Sequence, residues 1–211
     1  MICPDILGAG GAMITATIIH HLQESFQNDS SVGIAYVYFS YQAKIDRPVS
    51  NIIGSLGWQL VEKLQIVPVG IMKLYVKEKA TKSRPSLDGL LEILQVVMRA
   101  SSRNFIVMDA LDEYHALSQG EKDRERLNFL LAKFFELQKE EAFNLLATSR
   151  PITSIILQFE DCILKHIAAS EDDIRSYVDT RMLHFRGVKI SKHPKLQILM
   201  RSEVPKAASG M

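Results

Sequence analysis

The chain has 211 residues, and its composition and charge exclude several classes of protein. Hydrophobic residues make up 47% and charged residues 23%, which is the balance of a globular protein and not of a disordered or collagen-like chain. Lys and Arg number 25 against 24 Asp and Glu, so the net charge is +1. Such an even balance gives no overall field for nucleic acid, and we expect no nucleic-acid partner.

The two cysteines and the spread of apolar residues predict the compartment. Cys3 and Cys162 are far apart and lack the spacing of a zinc site or a disulfide framework, so a reducing environment fits. No apolar run approaches the ~20 residues that span a bilayer, and the opening segment carries Asp5 in place of a basic signal region. We therefore expect a cytoplasmic protein with no membrane partner.

Short β-rich runs alternate with longer stretches of helical period, and this order predicts an α/β fold with a mostly parallel sheet. The predicted strands cover residues 2–3, 32–41, 105–108, 143–147 and 162–167. The predicted helices cover residues 13–26, 48–64, 69–79, 86–98, 121–140 and 170–178. Trp58, on the second of these helices, is expected in the core.

The two ends of the chain carry the weakest signals of regular structure. Only Ile2 and Cys3 are available for the first strand, so we expect a truncated strand and an incomplete gene model or a fragment. We expect one domain over residues 1–183. Residues 184–211 then form a weakly structured tail or the start of a truncated helical region.

A Gly-rich turn before the first long helix is the first candidate binding element. Gly8, Ala9, Gly10 and Gly11 place backbone N–H groups at a helix N-terminus, an arrangement that binds phosphate. Turns of this kind also occur for chain geometry alone, and the residues leave both interpretations open.

Three acids follow the apolar run at residues 105–108 and form the second element. Asp109, at the C-terminal end of a parallel strand, lies where ligands bind in open α/β sheets and is a candidate Mg²⁺ ligand. Asp112 or Glu113 is then placed to orient an attacking water. Arg150, just after another predicted strand, is a candidate for contacting a terminal phosphate. The alternative is that the acids are solvated and that Arg150 pairs with a carboxylate.

These motifs, in this order, resemble the NACHT branch of the signalling P-loop NTPases. The resemblance is to the fungal NLR-like proteins with a nephrocystin-type N-terminal domain, which often carry ankyrin or WD repeats after the NTPase. It covers roughly residues 3–183. Its most specific sequences are FIVMDALDE at residues 105–113, NLLATSRP at 144–151, YVYFSY at 36–41, SLGWQL at 55–60 and DDIRSYV at 172–178.

The first motif departs from the pattern of the resembled family, which reads CPGIPGAGKT. This chain reads CPDILGAGGA at residues 3–12, with Asp5 for a glycine and Leu7 for a proline. Gly11 stands where the phosphate-binding Lys belongs, and Ala12 stands where the Mg²⁺-binding Thr or Ser belongs. Loss of the ammonium alone is expected to weaken nucleotide binding by roughly 10- to 150-fold, and we expect little or no hydrolysis.

The resemblance implies a signalling module that binds ATP or GTP with Mg²⁺ and gates self-association or contacts with other protein domains. In that interpretation the glycine loop, with Gly11 and Ala12, holds phosphate and Asp109 binds the metal. The other two acids and the arginine act on the attacking water and the terminal phosphate. The alternative is a non-catalytic scaffold or interaction domain, a pseudo-NTPase that keeps the fold and has lost the nucleotide switch.

Overall fold

A computed structural model of the protein describes residues 1–4, 11–40, 48–81, 84–115, 121–160, 162–167, 170–184 and 193–208. The strands within these residues are β1 (Ile2–Pro4), β2 (Val32–Tyr38), β3 (Arg103–Asp109) and β4 (Asn144–Ser149). They form one sheet in the order β1-β4-β3-β2, and every pair is parallel. The predicted α/β class with a parallel sheet is confirmed, and β1 is three residues long.

Nine helices lie in the described part of the chain, and they connect the strands or follow them. They are α1 (Gly11–Ser25), α2 (Val49–Lys63), α3 (Val69–Thr81), α4 (Leu87–Ala100), α5 (Leu111–His115), α6 (Glu121–Glu140), α7 (Thr153–Ile156), α8 (Glu171–His184) and α9 (Pro194–Ala208). A short 3₁₀ turn, Leu157–Phe159, extends α7. Among these helices, none is both long and apolar enough to cross a membrane.

Local capping signals explain where three of the helices begin. Pro48 precedes α2 with a φ of −61°, and its fixed backbone suits a helix start. The Ser86 hydroxyl accepts the Gly89 N–H at 3.2 Å at the start of α4. Before α8, the Asp173 carboxylate accepts the Ser170 N–H at 3.0 Å, and the Ser170 hydroxyl oxygen accepts the Asp173 N–H at 3.1 Å. The Ser170 hydroxyl and N–H also lower the pKa of Asp173.

Helices cover both faces of the sheet because alternate strand residues point to opposite sides. The larger core cluster takes Ile106 and Met108 of β3 and packs them against α2, α4 and α6. The smaller cluster joins Val107 of β3 and Leu146 of β4 to Ile19 of α1. The result is a three-layer arrangement with the sheet in the middle.

Two sequence predictions differ from the structure. Trp58 was expected in the core, yet 64% of it is exposed, because α2 buries its other face and the indole N–H donates to Glu62 Oε1 at 2.9 Å. The strand predicted at residues 162–167 is a single parallel bridge between Leu164 and Ile2. β1 is too short to support a longer ladder on that side.

Gly33 of β2 lies where no side chain fits. A Cβ at this position would lie 2.6 Å from Asn104 Oδ1 and 2.8 Å from Leu60 Cδ2. Asn104 is buried, and its amide donates to the Met98 carbonyl at 3.0 Å. Over the described residues, its Oδ1 is the one buried side-chain polar atom without a hydrogen-bond partner. The close approach of β2 to this amide therefore requires glycine.

Gly33→Ala is expected to lower the free energy of unfolding by about 1–3 kcal/mol, because Asn104 or the strand must shift to admit a methyl group. Chemical denaturation followed by circular dichroism measures the change. Gly57→Ala is the matched control, since the nearest atom to its Cβ is 3.9 Å away, and it is expected to gain up to about 1 kcal/mol. Equal effects of the two substitutions would contradict the close packing at Gly33.

Candidate functional site

The four parallel strands end at one edge of the sheet, and α1 begins beside this edge. β1 ends at Pro4, β3 at Asp109 and β4 at Ser149. The Thr15 hydroxyl of α1 donates to Asp109 Oδ1 at 2.6 Å. Gly11 lies one helical turn before Thr15, about 6 Å along the helix axis. The N-terminus of α1 and the acidic end of β3 therefore belong to one site.

The Asp109 carboxylate is the centre of this site. Only 4% of the residue is exposed, and Oδ1 accepts hydrogen bonds from Thr15 at 2.6 Å and from Thr148 of β4 at 2.7 Å. The Thr148 hydroxyl in turn accepts the Ala110 N–H at 2.9 Å. One carboxylate oxygen of Asp109 thus connects α1, β3 and β4 by hydrogen bonds. Thr148 also bonds the backbone of Ala110, the residue that follows Asp109.

Ala110 makes the bend between β3 and α5. Its φ is 56°, in the left-handed region that costs a non-glycine residue roughly 1–2 kcal/mol. The bend lets the Ala110 carbonyl accept the Glu113 N–H at 2.9 Å, which starts α5. It also places Asp112 in the first turn of that helix. Strain of this kind is typical of functional sites, where it positions a side chain.

Asp112 and Arg150 form a pair at this edge. The backbone N–H of Arg150 donates to Asp112 Oδ1 at 2.9 Å, and its Nε donates to Oδ2 at 2.5 Å. The Asp112 side chain is 4% exposed and the Arg150 side chain 46% exposed, so a buried carboxylate meets a half-exposed guanidinium. Both oxygens of Asp112 accept from Arg150, which is the carboxylate pairing that the sequence left open.

The remaining predicted site residues are placed as follows. Gly11 is buried as the first residue of α1, and Ala12 beside it is exposed. Glu113 is half-buried in α5, next to Asp112. The rest of the predicted phosphate loop, residues 8–10, lies outside the described residues. The site that the structure brings together is therefore built on α1, the β3–α5 bend and the end of β4.

The residues present fit Mg²⁺ poorly. Mg²⁺ needs a near-octahedral set of oxygens, usually one or two carboxylates completed by substrate and water. Asp109 Oδ1 already accepts two hydroxyls, Asp112 is paired with Arg150, and Ala12 has no side-chain oxygen. In the part of the chain that the structure describes, no group of three or more His, Cys, Asp or Glu is placed to hold a metal. We derive no chemical step through a metal ion.

Tyr38 adds a titratable group to this edge. It ends β2 and lies directly across from Asp109 in the β2–β3 register. Burial raises the pKa of Tyr38 above its ordinary value, and the negative charges of Asp109 and of ionised Tyr36 raise it further. The phenol is therefore a reporter of the charge on Asp109.

Thr15 and Thr148 are the residues that sequence reasoning missed, although helix and strand periods point to both. Thr15 lies four residues after Gly11 and four before Ile19, so the three form the buried stripe of α1. Thr148 lies two residues after Leu146 on the same face of β4, the face that packs against α1. A search for polar residues on these stripes would have found them.

Comparison with known proteins identifies the family. A sequence model of the nephrocystin 3 N-terminal family matches residues 1–150, so the chain belongs to this family. This confirms the nephrocystin-type part of the resemblance. No curated protein matches the chain.

The solved structures give the fold. The ORC1 protein of Aeropyrum pernix, solved in complex with DNA, has a TM-score of 0.50 and 12% identity, covering 87% of this chain and 43% of that protein. The ORC2 protein of the same organism, solved as ADPNP and ADP complexes, has a TM-score of 0.49 and 13% identity, covering 87% and 45%. This chain thus spans less than half the length of either protein. The likeness to ORC1 shows a shared fold, which confirms the predicted three-layer α/β arrangement with a parallel sheet.

Asp109→Asn is expected to lower the pKa of Tyr38, because the phenolate then forms without a negative charge beside it. Ultraviolet difference titration measures this pKa, and Tyr38→Phe isolates the signal among the six tyrosines. Because the pKa of Tyr38 is higher in the folded protein than in the unfolded chain, the folded state favours the neutral phenol. The stability that this phenol contributes is fully present below pH 10.0 and is lost as pH rises through the folded pKa. Tyr38→Phe should reduce that alkaline loss. An unchanged Tyr38 titration in Asp109→Asn would show that the two groups do not interact.

Arg150→Ala is expected to lower the free energy of unfolding by about 1–3 kcal/mol, because it leaves the buried Asp112 carboxylate without its cation. Urea denaturation measures the loss, and Asp112→Asn in the same chain should recover part of it. Arg175→Ala is the matched control, since it breaks an exposed pair with Glu171 at 2.6 Å and should cost less than about 0.5 kcal/mol. Similar costs at both positions would argue against a structural role for the Asp112 pair.

Proposed function

We propose that this chain is a nucleotide-binding signalling module of the NACHT type, acting with ATP or GTP, in which hydrolysis is impaired. The observation that carries the proposal is the 2.6 Å hydrogen bond from Thr15 to Asp109, which sets the start of α1 beside the acidic end of β3. Ligands of open α/β sheets bind at the carboxyl ends of the strands, and a helix N-terminus favours phosphate. The family membership and the fold support the same assignment.

Impaired hydrolysis follows from the side chains at this edge. Gly11 supplies no ammonium and Ala12 no hydroxyl, and each donor aimed at developing charge typically contributes ~10²–10³ in rate. Both oxygens of Asp112 accept from Arg150, so this carboxylate is not placed to take a proton from water. Glu113 keeps its predicted role beside the water, and the glycine loop keeps its role as the phosphate cradle.

The second candidate is a non-catalytic scaffold, and a specific observation favours it. The acids predicted to meet Mg²⁺ and water are satisfied by the protein itself, Asp109 by two threonines and Asp112 by Arg150. Under either function we propose a module over residues 1–183, with residues 184–211 as a further segment. We propose that it works in the cytoplasm through other protein domains or a second copy, without nucleic-acid or membrane partners.

Thermal unfolding with and without Mg-ATP and Mg-GTP tests the proposal. A ligand that binds only the folded state stabilises it by mass action, about 1.4 kcal/mol at ten times its Kd. We expect a higher unfolding midpoint at millimolar nucleotide and no phosphate release. No shift with either nucleotide would reject nucleotide binding in favour of the scaffold, and rapid phosphate release would contradict impaired hydrolysis.

The double substitution Gly11→Lys and Ala12→Thr serves as the gain-of-function arm of this test. It restores the two missing side chains and should tighten nucleotide binding by roughly 10- to 150-fold. Met13→Lys is the matched control, because it adds the same charge to an exposed position in the first turn of α1. An equal effect of both changes, or none, would show that the loop before α1 is not a phosphate cradle.

A further inference from the structure

A cavity of about 570 Å³ lies between α2, α3 and α4 and shares no lining residue with the candidate nucleotide site. Its volume falls within the roughly 300–1,000 Å³ of pockets that bind small molecules. Most of its lining surface is apolar, and six of the lining residues have large aliphatic side chains. These side chains are Ile53 and Val61 of α2, Ile71 and Leu74 of α3, and Leu90 and Ile93 of α4.

The cavity exists because α3 packs loosely over a close helix pair. Gly54 and Gly57 of α2 face α4, and a Cβ at these positions would make ordinary contacts, 3.6 Å from Leu90 and 3.9 Å from Ile93. α3 is different, because none of residues 69–80 is fully buried. It covers the cavity with half-buried aliphatic side chains and exposes the others to solvent. An occupant would give α3 the apolar contacts that it lacks.

Two aromatic residues stand at the mouth of the cavity. Trp58 is 64% exposed and Tyr75 is 63% exposed, although both line the cavity. The indole N–H of Trp58 is satisfied by Glu62 at 2.9 Å, so the rest of its ring surface is apolar. The Lys79 ammonium lies 5.7 Å from the centre of the Tyr75 ring. Aromatic rings held in this way favour a flat apolar group that stacks on them or meets their edges.

The charges at the mouth disfavour an ionic ligand. Glu78 and Lys79 are the two described lining residues that carry a charge at neutral pH, and they are neighbours of opposite sign. Their fields oppose each other, so neither sign of ligand gains a net attraction. A charged group moved into aliphatic walls would lose its hydration without a dedicated partner.

We propose that this cavity binds an uncharged, largely apolar small molecule that carries an aromatic ring. The aliphatic walls receive its body, and Trp58 and Tyr75 contact its ring at the mouth. Three helices and Pro85 surround the space, which suits a compact molecule better than the long side of a partner helix. Bound ligand would close α3 onto α2 and α4. This activity is independent of the proposed nucleotide site.

Fluorescence of the full chain with N-phenyl-1-naphthylamine tests the proposal. This probe is uncharged and aromatic, and Trp58 is the single tryptophan of the protein, so energy transfer from it reports binding at the cavity. We expect saturable probe emission, transfer from Trp58 and a higher unfolding midpoint. 1-Anilinonaphthalene-8-sulfonate has the same rings with an added sulfonate and should bind at least tenfold more weakly.

Matched variants locate the probe. Gly57→Leu and Leu74→Phe fill the cavity from two different helices, and each should weaken probe binding at least tenfold. If one of these variants does not fold, the other still tests the proposal. Ser55→Leu adds the same side chain to an exposed position of α2 and should leave binding unchanged. Trp58→Phe should abolish energy transfer, because Trp58 is the only indole donor in the chain.

Several outcomes would overturn the proposal. Absence of saturable binding, or equal losses in Ser55→Leu and both filling variants, would show that the cavity is not the site. Equal binding of the sulfonate would reject an uncharged ligand class. Concentration-dependent dimerisation that the filling variants abolish would assign this surface to a second copy of the chain. Nucleotide binding without probe binding, or the reverse, distinguishes this proposal from the one above.

Discussion

The hydrogen bonds from Thr15 and Thr148 to one oxygen of Asp109 hold the site together. They join a helix and two strands that are far apart in the chain, at a buried point where an unpaired carboxylate would be costly. The same contacts occupy Oδ1, one of the two oxygens that this carboxylate could offer a metal. The geometry of the candidate site is therefore held by contacts within the protein, through Asp109 Oδ1 and both oxygens of Asp112. This combination is what leaves a weak nucleotide binder and a scaffold as the two candidate functions.

Most of the fold was predictable because its signals are local. The alternation of β-rich and helical periods predicted the α/β fold class. Single residues marked helix starts, Ser86 by its capping hydroxyl and Pro48 by its fixed backbone angle. Trp58 was misplaced because hydrophobicity does not tell which face of a helix is covered. That depends on which helices pack against α2, and no local pattern encodes contacts between helices.

The candidate site was predictable only in part, for a related reason. The position of Asp109 at the end of β3 follows from the rule that ligands bind at the carboxyl ends of parallel strands. This rule can be applied without knowing which residues contact the carboxylate. The pairing of Asp112 with Arg150 joins residues 38 apart in the chain, and its geometry depends on the bend at Ala110. Thr15 can be found as a polar residue on the buried stripe of α1, but its partner Asp109 is 94 residues away and is known only once β3 is placed beside α1.

The left-handed backbone of Ala110 has a mechanical consequence for the molecule. A glycine there would let the peptide rotate freely, whereas a Cβ restricts the bend to a narrow range of angles. The Cβ of Ala110 therefore fixes the direction in which α5 leaves β3. Because α5 packs against α6, this one bend also helps to set how the end of the sheet meets the helical layer.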